Sequence, residues 1–217
     1  MSNSLLDKPA GYFSNVREEM ATFLPEKIGV VLEIGCGEGG YAAHLKNKYH
    51  CEVWGIEYEE TQGSHAAKLL DKVLIGDAHV LIDQLPDNYF DTVICNDVLE
   101  HLYDPYTILS KLKMKMKPEG KVISSIPNIR YFRTFFALLF KKQWDYQANG
   151  ILDITHVRFF TTKSIVKMYE NAGYQVLIHK GINASKSIKP VLFNMLMLGF
   201  FSDIKYIQFA TVAQVKR

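Results

Sequence analysis

Apolar residues along this chain fall in short, β-branched runs that alternate with stretches of helical spacing. Residues 30–34 read as a buried parallel strand, because nearly every position is apolar rather than every second one. A glycine-rich turn follows at 35–40, and 41–49 reads as a helix. The unit repeats as strand 52–57 with helix 61–70, strand 72–76 with a helical turn at 78–85, and strand 90–96 with a further helix. Asp104-Pro105 supplies that helix with an N-cap and a first-turn proline. Ile108, Leu109, Leu112 and Met116 form its inner face, and Pro118-Glu119-Gly120 stops it before a fifth strand at 121–126. Such alternation predicts an open, mostly parallel α/β sheet.

The flanks are less regular. Asn15 and Glu18 have capping-box spacing, and Val16, Met20, Phe23 and Leu24 make one helical face that closes at Pro25. After the fifth strand an aromatic and basic insertion, 128–160, interrupts the alternation, and its position above the sheet edge predicts a substrate cover. A helix then starts at Thr161 or Thr162 and runs to about Ala172, with Gly173 as its stop and a sixth strand at 174–180. A second, apolar insertion at 187–201 precedes a last strand at 205–216. It reads first as a cover over the core or a homodimer patch, and second as a peripheral-membrane contact.

Composition narrows the class. A chain of 217 residues with 48% hydrophobic content and no internal repeat or linker predicts one domain, 1–217. A net charge of +2 gives no electrostatic case for nucleic acid. The alternating Lys111, Lys113, Lys115 and Lys117 read as a helix end rather than a binding patch. Cys36, Cys51 and Cys95 lack metal-ligand spacing and read as reduced thiols. No basic-then-apolar signal opens the chain and no apolar run is long enough to span a bilayer, so a cytoplasmic location is expected.

Three acids carry the chemistry. Gly35, Gly37 and Gly40 satisfy a dinucleotide fingerprint, which leaves a nicotinamide-dependent oxidoreductase open. Glu33 lies on an apolar strand, where an unpaired carboxylate is costly to bury. It suits a cationic ligand and would repel a pyrophosphate. Glu57 follows Gly35 at close to the roughly 20-residue spacing of a ribose-binding acid. Asp77, at the end of the third strand, is either a third ligand-facing acid or the cap of the turn at Ala78.

With Glu33-Ile34-Gly35-Cys36-Gly37-Glu38-Gly39 and the later acids, the chain resembles class I S-adenosylmethionine-dependent methyltransferases. The resemblance implies a Rossmann-like, doubly wound sheet of seven strands, mostly parallel with an antiparallel C-terminal hairpin. It implies S-adenosyl-L-methionine as cofactor, and an N-terminal segment, 1–25, that covers it. Tyr12, Arg17, Glu33, Gly35, Gly37, Glu57, Asp77, Ala78 and Asn96 are then the candidate cofactor residues. Asn96 through His101, Ile126-Pro127-Asn128, and Gly150 through His156 with Phe159-Phe160-Thr161 resemble bacterial methyltransferases of sugar and cell-surface-glycan gene clusters. That likeness implies O-methylation of a small-molecule or glycan acceptor, with Asn128, Asp153 and Arg158 as candidate substrate contacts.

A hydroxyl acceptor must lose a proton, and histidine is the side chain whose ordinary pKa suits the task. His101 and His156 are the two candidates, with Asp153 placed to orient His156. His44, His50, His65, His79 and His179 read as structural. Asp97, Glu100 and His101 also resemble the acid-x-x-acid-histidine metal cluster of quinone-forming O-methyltransferases, but Glu100-His101 alone is widespread in the superfamily without metal, and no metal is expected. A methyltransferase-like partner protein without its own activity is a further alternative.

Overall fold

A computed structural model describes residues 17–216. Tyr12, Asn15 and Val16 lie outside them. β1 (Val31–Ile34) is buried at every position, as its unbroken apolar run requires. β2 (Val53–Glu57) and β3 (Lys72–Ile75) lie to one side of it, β4 (Phe90–Asn96) and β5 (Met116–Pro127) to the other, all parallel. β6 (Tyr174–Ala184) and β7 (Tyr206–Val215) complete the order β3-β2-β1-β4-β5-β7-β6. β7 runs antiparallel to both neighbours, so the mostly parallel seven-stranded sheet with an antiparallel C-terminal pair is present. The order reverses between β1 and β4, and their carboxyl ends form the switch point where such sheets receive ligands.

α1 (Gly40–Tyr49), α2 (Glu60–Ala66), α3 (Ala78–Leu81) and α4 (Pro105–Lys115) follow the first four strands. α5 (Phe132–Phe136) and α7 (Lys189–Leu196) belong to the two insertions, with α6 (Thr162–Asn171) between them. The period-two alternation of β1 sorts its side chains. Leu32 and Ile34 pack with Ile108 and Leu112 of α4 and Ile165 and Met168 of α6. Val31 packs on the opposite face with Ala42 and Leu45 of α1 and with Met20. α6 starts at a capping box in which Thr161 and Ser164 each accept the other's backbone N–H.

Local expectations shift in three places. The N-terminal helix is a 3-10 segment, Glu18–Phe23, preceded by Arg17. α2 stops at Ala66, short of the expected Leu70. Pro118-Glu119-Gly120 does not stop a helix: α4 ends at Lys115, Met116 already pairs with Phe90, and the register shifts before Lys121 meets Thr92. The bulge accommodates Glu119 at φ 67. The lysine alternation follows from this change of element, because Lys111, Lys115 and Lys117 pair with Asp83, Asp87 and Asp91, each at 2.7 Å.

The insertions share a base on the sheet. Fully buried Asn128 donates to the carbonyls of Asp203 and Tyr206, each at 3.0 Å, and accepts from the Arg130 N–H. Arg130 forms a two-pronged pair with Asp203 at 2.7 and 3.1 Å. Phe135 and Phe136 of the first insertion pack with Phe193 and Phe201 of the second. Beyond this base the cover predicted for 187–201 does not form. Leu192, Met195, Leu196 and Leu198 face outward, because the apolar content of the segment exceeds what one aromatic cluster buries.

Candidate active site

Glycines shape the switch point. Gly35, Gly37 and Gly39 take φ values of 70, 55 and 82°, in the left-handed region that a Cβ disfavours. At Gly35 a Cβ would also stand 2.8 Å from Val98. The turn is tied to the end of β2 by Glu57, whose carboxylate accepts the N–H of Gly37 at 2.7 Å and of Glu59 at 3.0 Å. Two oxygens with one backbone donor each retain lone pairs for further donors. Glu33 is buried on β1, and Oε2 has no hydrogen-bond partner among the described residues. Burial pushes its pKa up to about 8, against a backbone hydrogen bond from Ala42. Asp77 caps α3, accepting from the His79 N–H at 2.8 Å, and these hydrogen bonds hold its pKa down. Ala78 is buried as the first residue of that helix.

The end of β4 carries a second group of polar residues. Both polar atoms of the Asn96 side chain are buried without a partner among the described residues. Asp97 adopts φ 49°, a strained backbone for a residue with a side chain. Its carboxylate pairs with Arg17 and accepts from Ser125 at 2.9 Å and Gln208 at 2.7 Å. Arg17 also donates to Ser125 at 2.9 Å, so the segment ahead of β1 is fastened across the switch point.

Both candidate bases lie just beyond. The carbonyl of Glu100 accepts the N–H of Val157 and of Arg158, each at 3.0 Å, which docks the insertion loop 153–158 on the loop after β4. His101 and His156 thereby meet edge to face, with ring centroids 4.6 Å apart. His101 Nδ1 is 3.2 Å from the Thr155 carbonyl and 3.1 Å from Thr155 Oγ1. Thr155 Oγ1 donates to Asp153 Oδ1 at 2.7 Å. His156 Nδ1 is 3.0 Å from the Ile151 carbonyl. A carbonyl only accepts, so each Nδ1 donates, and in the neutral form of either ring Nε2 is the basic nitrogen.

Glu100 is buried, and neither carboxylate oxygen is hydrogen-bonded among the described residues. Burial holds its pKa well above the carboxylate range, and His156 Nε2 lies 3.9 Å from Oε1. One ligand-capable atom each of Glu100, His101 and His156 falls within 4.8 Å of the others. His156 thus stands where the sequence pattern puts Asp97, whose carboxylate is engaged by Arg17, Ser125 and Gln208.

Two expected substrate contacts are placed otherwise. Asn128 is fully buried in the base of the insertions, its amide donating to two carbonyls, so it holds backbone rather than reaching the edge. Arg158 donates twice to the Tyr103 carbonyl, at 3.1 and 2.7 Å, and lies over the Tyr103 ring. Asp153 does reach the site, through Thr155 to His101, while His156 Nδ1 meets the Ile151 carbonyl. Thr155, Ser125 and Gln208 were not among the sequence candidates. Thr155 sits inside the Asp153-Ile154-Thr155-His156 motif, whereas Gln208 lies on a distant strand and carries no sequence signal.

A family described as "Methyltransferase domain" matches residues 10–179. A Mycolicibacterium smegmatis protein named a probable S-adenosylmethionine-dependent methyltransferase is 30% identical over 146 residues, covering 67% of this chain and 52% of its own. The ubiquinone biosynthesis O-methyltransferase of Aeromonas salmonicida is 26% identical over 184 residues, covering 81% of this chain and 73% of its own. The chain spans about half or less of the first curated relatives it matches. The solved structure of an S-adenosylmethionine-dependent methyltransferase from Archaeoglobus fulgidus superposes with a TM-score of 0.68 at 20% identity, covering 92% of each chain.

Proposed function

The chain belongs to the S-adenosylmethionine-dependent methyltransferases, and from that premise we propose that it methylates a hydroxyl of a small polar acceptor, such as a sugar or glycan intermediate. Membership removes the nicotinamide reading of the glycine turn. The observation that carries the proposal is the run from Asp153 through Thr155 to His101, set against His156 at the switch point.

The polar atoms left unsatisfied at the switch point fit the cofactor. Among the described residues, a Glu33 oxygen and the Asn96 amide have no partner, and they suit a ligand with a cationic end and hydrogen-bonding groups. In this reading Glu33 and Arg17 flank the aminoacyl end, and Gly35 and Gly37 admit close approach of the backbone. Glu57 receives the ribose hydroxyls on its remaining lone pairs, while Asp77 and the Ala78 N–H meet the adenine edge. Tyr12 belongs to the same proposal. When bound, the cofactor supplies a methyl carbon activated by a sulfonium sulfur.

The chain's own contribution is alignment and proton removal. Alignment supplies roughly 7–11 kcal/mol in favourable cases. His101 accepts the acceptor's hydroxyl proton on Nε2. Thr155 and Asp153 hold the ring in the tautomer that leaves this nitrogen basic, by the logic of a nucleophile–base–orienter series. His156 walls the site and fixes the His101 ring. With Asn128 and Arg158 committed elsewhere, contact with the acceptor falls to the loop around Asp153 and His156.

Calorimetry with S-adenosylhomocysteine, with NAD as the comparator, tests the cofactor half. Heat with the first alone is expected, and heat with neither or with NAD alone overturns the reading. Methyl transfer to a panel of sugar nucleotides, glycosides and phenols tests the acceptor half, and transfer only to amines would overturn it.

A further inference from the structure

The two insertions end in an apolar tip that no described residue covers. Leu139 and Phe140 of the first and Met195, Leu196, Leu198 and Phe200 of the second are each more than half exposed, with Leu198 at 86% and Phe200 at 80%. Scattered exposed apolar side chains are ordinary, whereas a grouped set marks a contact surface. These are grouped. The Phe140 ring lies 5.4 Å from Phe136, Phe136 lies 4.9 Å from Phe193, and Phe193 lies 5.1 Å from Phe201. Phe201 in turn lies under Arg130, which is paired with Asp203. The base therefore holds both apolar ends together and away from the sheet.

Charge identifies the occupant. Residues 129–144 and 184–202 contain no Asp or Glu. They carry Arg133, Lys141, Lys142, Lys186 and Lys189, all exposed, beside the Arg130 that Asp203 neutralises. We infer that this tip docks on an anionic lipid bilayer, its apolar side chains entering the headgroup boundary and its lysines and Arg133 meeting lipid phosphates. Apolar tip plus cationic rim is the combination that holds a protein on such a surface. α7 has eight residues, and no helix among the described residues is long and apolar enough to cross a membrane, so the tip lies on the bilayer. A second copy of the chain fits less well, because a two-fold interface would set this cationic rim against itself. The inference rests on the exposed tip and its charge, not on methyl transfer.

Co-sedimentation of the full chain with phosphatidylcholine vesicles, with and without phosphatidylglycerol, tests it. Binding is expected to vesicles containing phosphatidylglycerol and to weaken as salt rises. The double variant Leu196→Asp/Leu198→Asp should bind about tenfold more weakly or worse. Lys141→Glu/Lys142→Glu should bind more weakly at low salt and lose less on salt addition. Both pairs lie on the surface, so thermal unfolding should match that of the parent chain. Absence of pelleting with either vesicle, or equal pelleting of parent and variants, overturns the inference. So does a dimer in sedimentation velocity that Leu196→Asp/Leu198→Asp dissolves, which would assign the tip to a second copy.

Discussion

The His101 ring stands edge to face on the His156 ring, at 4.6 Å between centroids and 75° between planes, although the two belong to different layers of the molecule. One follows β4; the other sits in the first insertion. The contact exists because Val157 and Arg158 donate to the Glu100 carbonyl, which fixes the insertion loop to the loop carrying His101. Each ring faces a carbonyl through Nδ1, so both donate from that nitrogen.

His101→Ala should lower kcat about 100- to 10,000-fold, the range of a general base, with S-adenosylhomocysteine affinity unchanged. Thr155→Val should cause a smaller loss in kcat with little change in KM, because the base remains but its orienting hydroxyl is gone. His156→Ala should fall between the two. Steady-state kinetics with calorimetry on each variant separates the roles, and an unchanged kcat in His101→Ala would assign the proton elsewhere.

Glu57 has a different dependence, because it joins the glycine turn to β2 through the N–H groups of Gly37 and Glu59. Removing it leaves two amides without an acceptor and, in the proposed cofactor pose, the ribose without a partner. Glu57→Ala should weaken S-adenosylhomocysteine binding about tenfold or more and lower stability by about 1–3 kcal/mol. Glu57→Gln, which keeps one acceptor oxygen, should recover part of the stability and less of the affinity. Calorimetry and denaturant unfolding report the two losses separately, and equal recovery of both would argue that Glu57 only shapes the turn.

These dependences show which parts of the molecule a sequence can express. The apolar runs of β1, β2 and β4 encode the sheet because their burial on both faces leaves no other use for β-branched residues. Glu33, Glu57 and the glycines were legible for the same reason, since each breaks a local rule that only a ligand or a turn excuses. Asn128 was legible as unusual but not in its role, because the carbonyls it serves belong to residues 203 and 206, far along the chain. The Lys111–Lys117 alternation hid a helix-to-strand junction, since lysines that answer acids on neighbouring segments follow the partner's spacing rather than their own element's. The outward face of α7 was legible only as one of several uses of an apolar insertion, because such a segment reads alike whether it covers a core, a partner or a membrane surface.

Asn128→Ala should destabilise the chain without touching the chemistry directly. The change strands the carbonyls of Asp203 and Tyr206 and the Arg130 N–H, which now meet a fully buried side chain. Loss of about 1–3 kcal/mol is expected for a stranded buried group. Urea unfolding should show the loss, while KM for the acceptor stays within about twofold in the folded fraction, below 0.5 kcal/mol. A large rise in KM with unchanged stability would return Asn128 to the substrate contacts.

Glu33 links the candidate site to pH. Its pKa of about 8 in the folded chain stands above its ordinary 4.5 because burial disfavours the charged form. The folded state therefore holds this proton more tightly than the unfolded one, and the group's stabilising contribution is full below about 4.5. It declines as pH rises and is gone above about 8, at about 1.4 kcal/mol per pKa unit of difference. Thermal unfolding of the ligand-free protein should fall more steeply between these limits than that of Glu33→Gln, and the difference isolates Glu33 from buried Glu100. A cationic ligand beside Glu33 favours the carboxylate, so binding near pH 7 should release a proton. Calorimetry in buffers of different ionisation enthalpy measures that release directly. It should vanish in Glu33→Gln; equal proton release by parent and variant would mean that no cationic group of the ligand lies against this carboxylate.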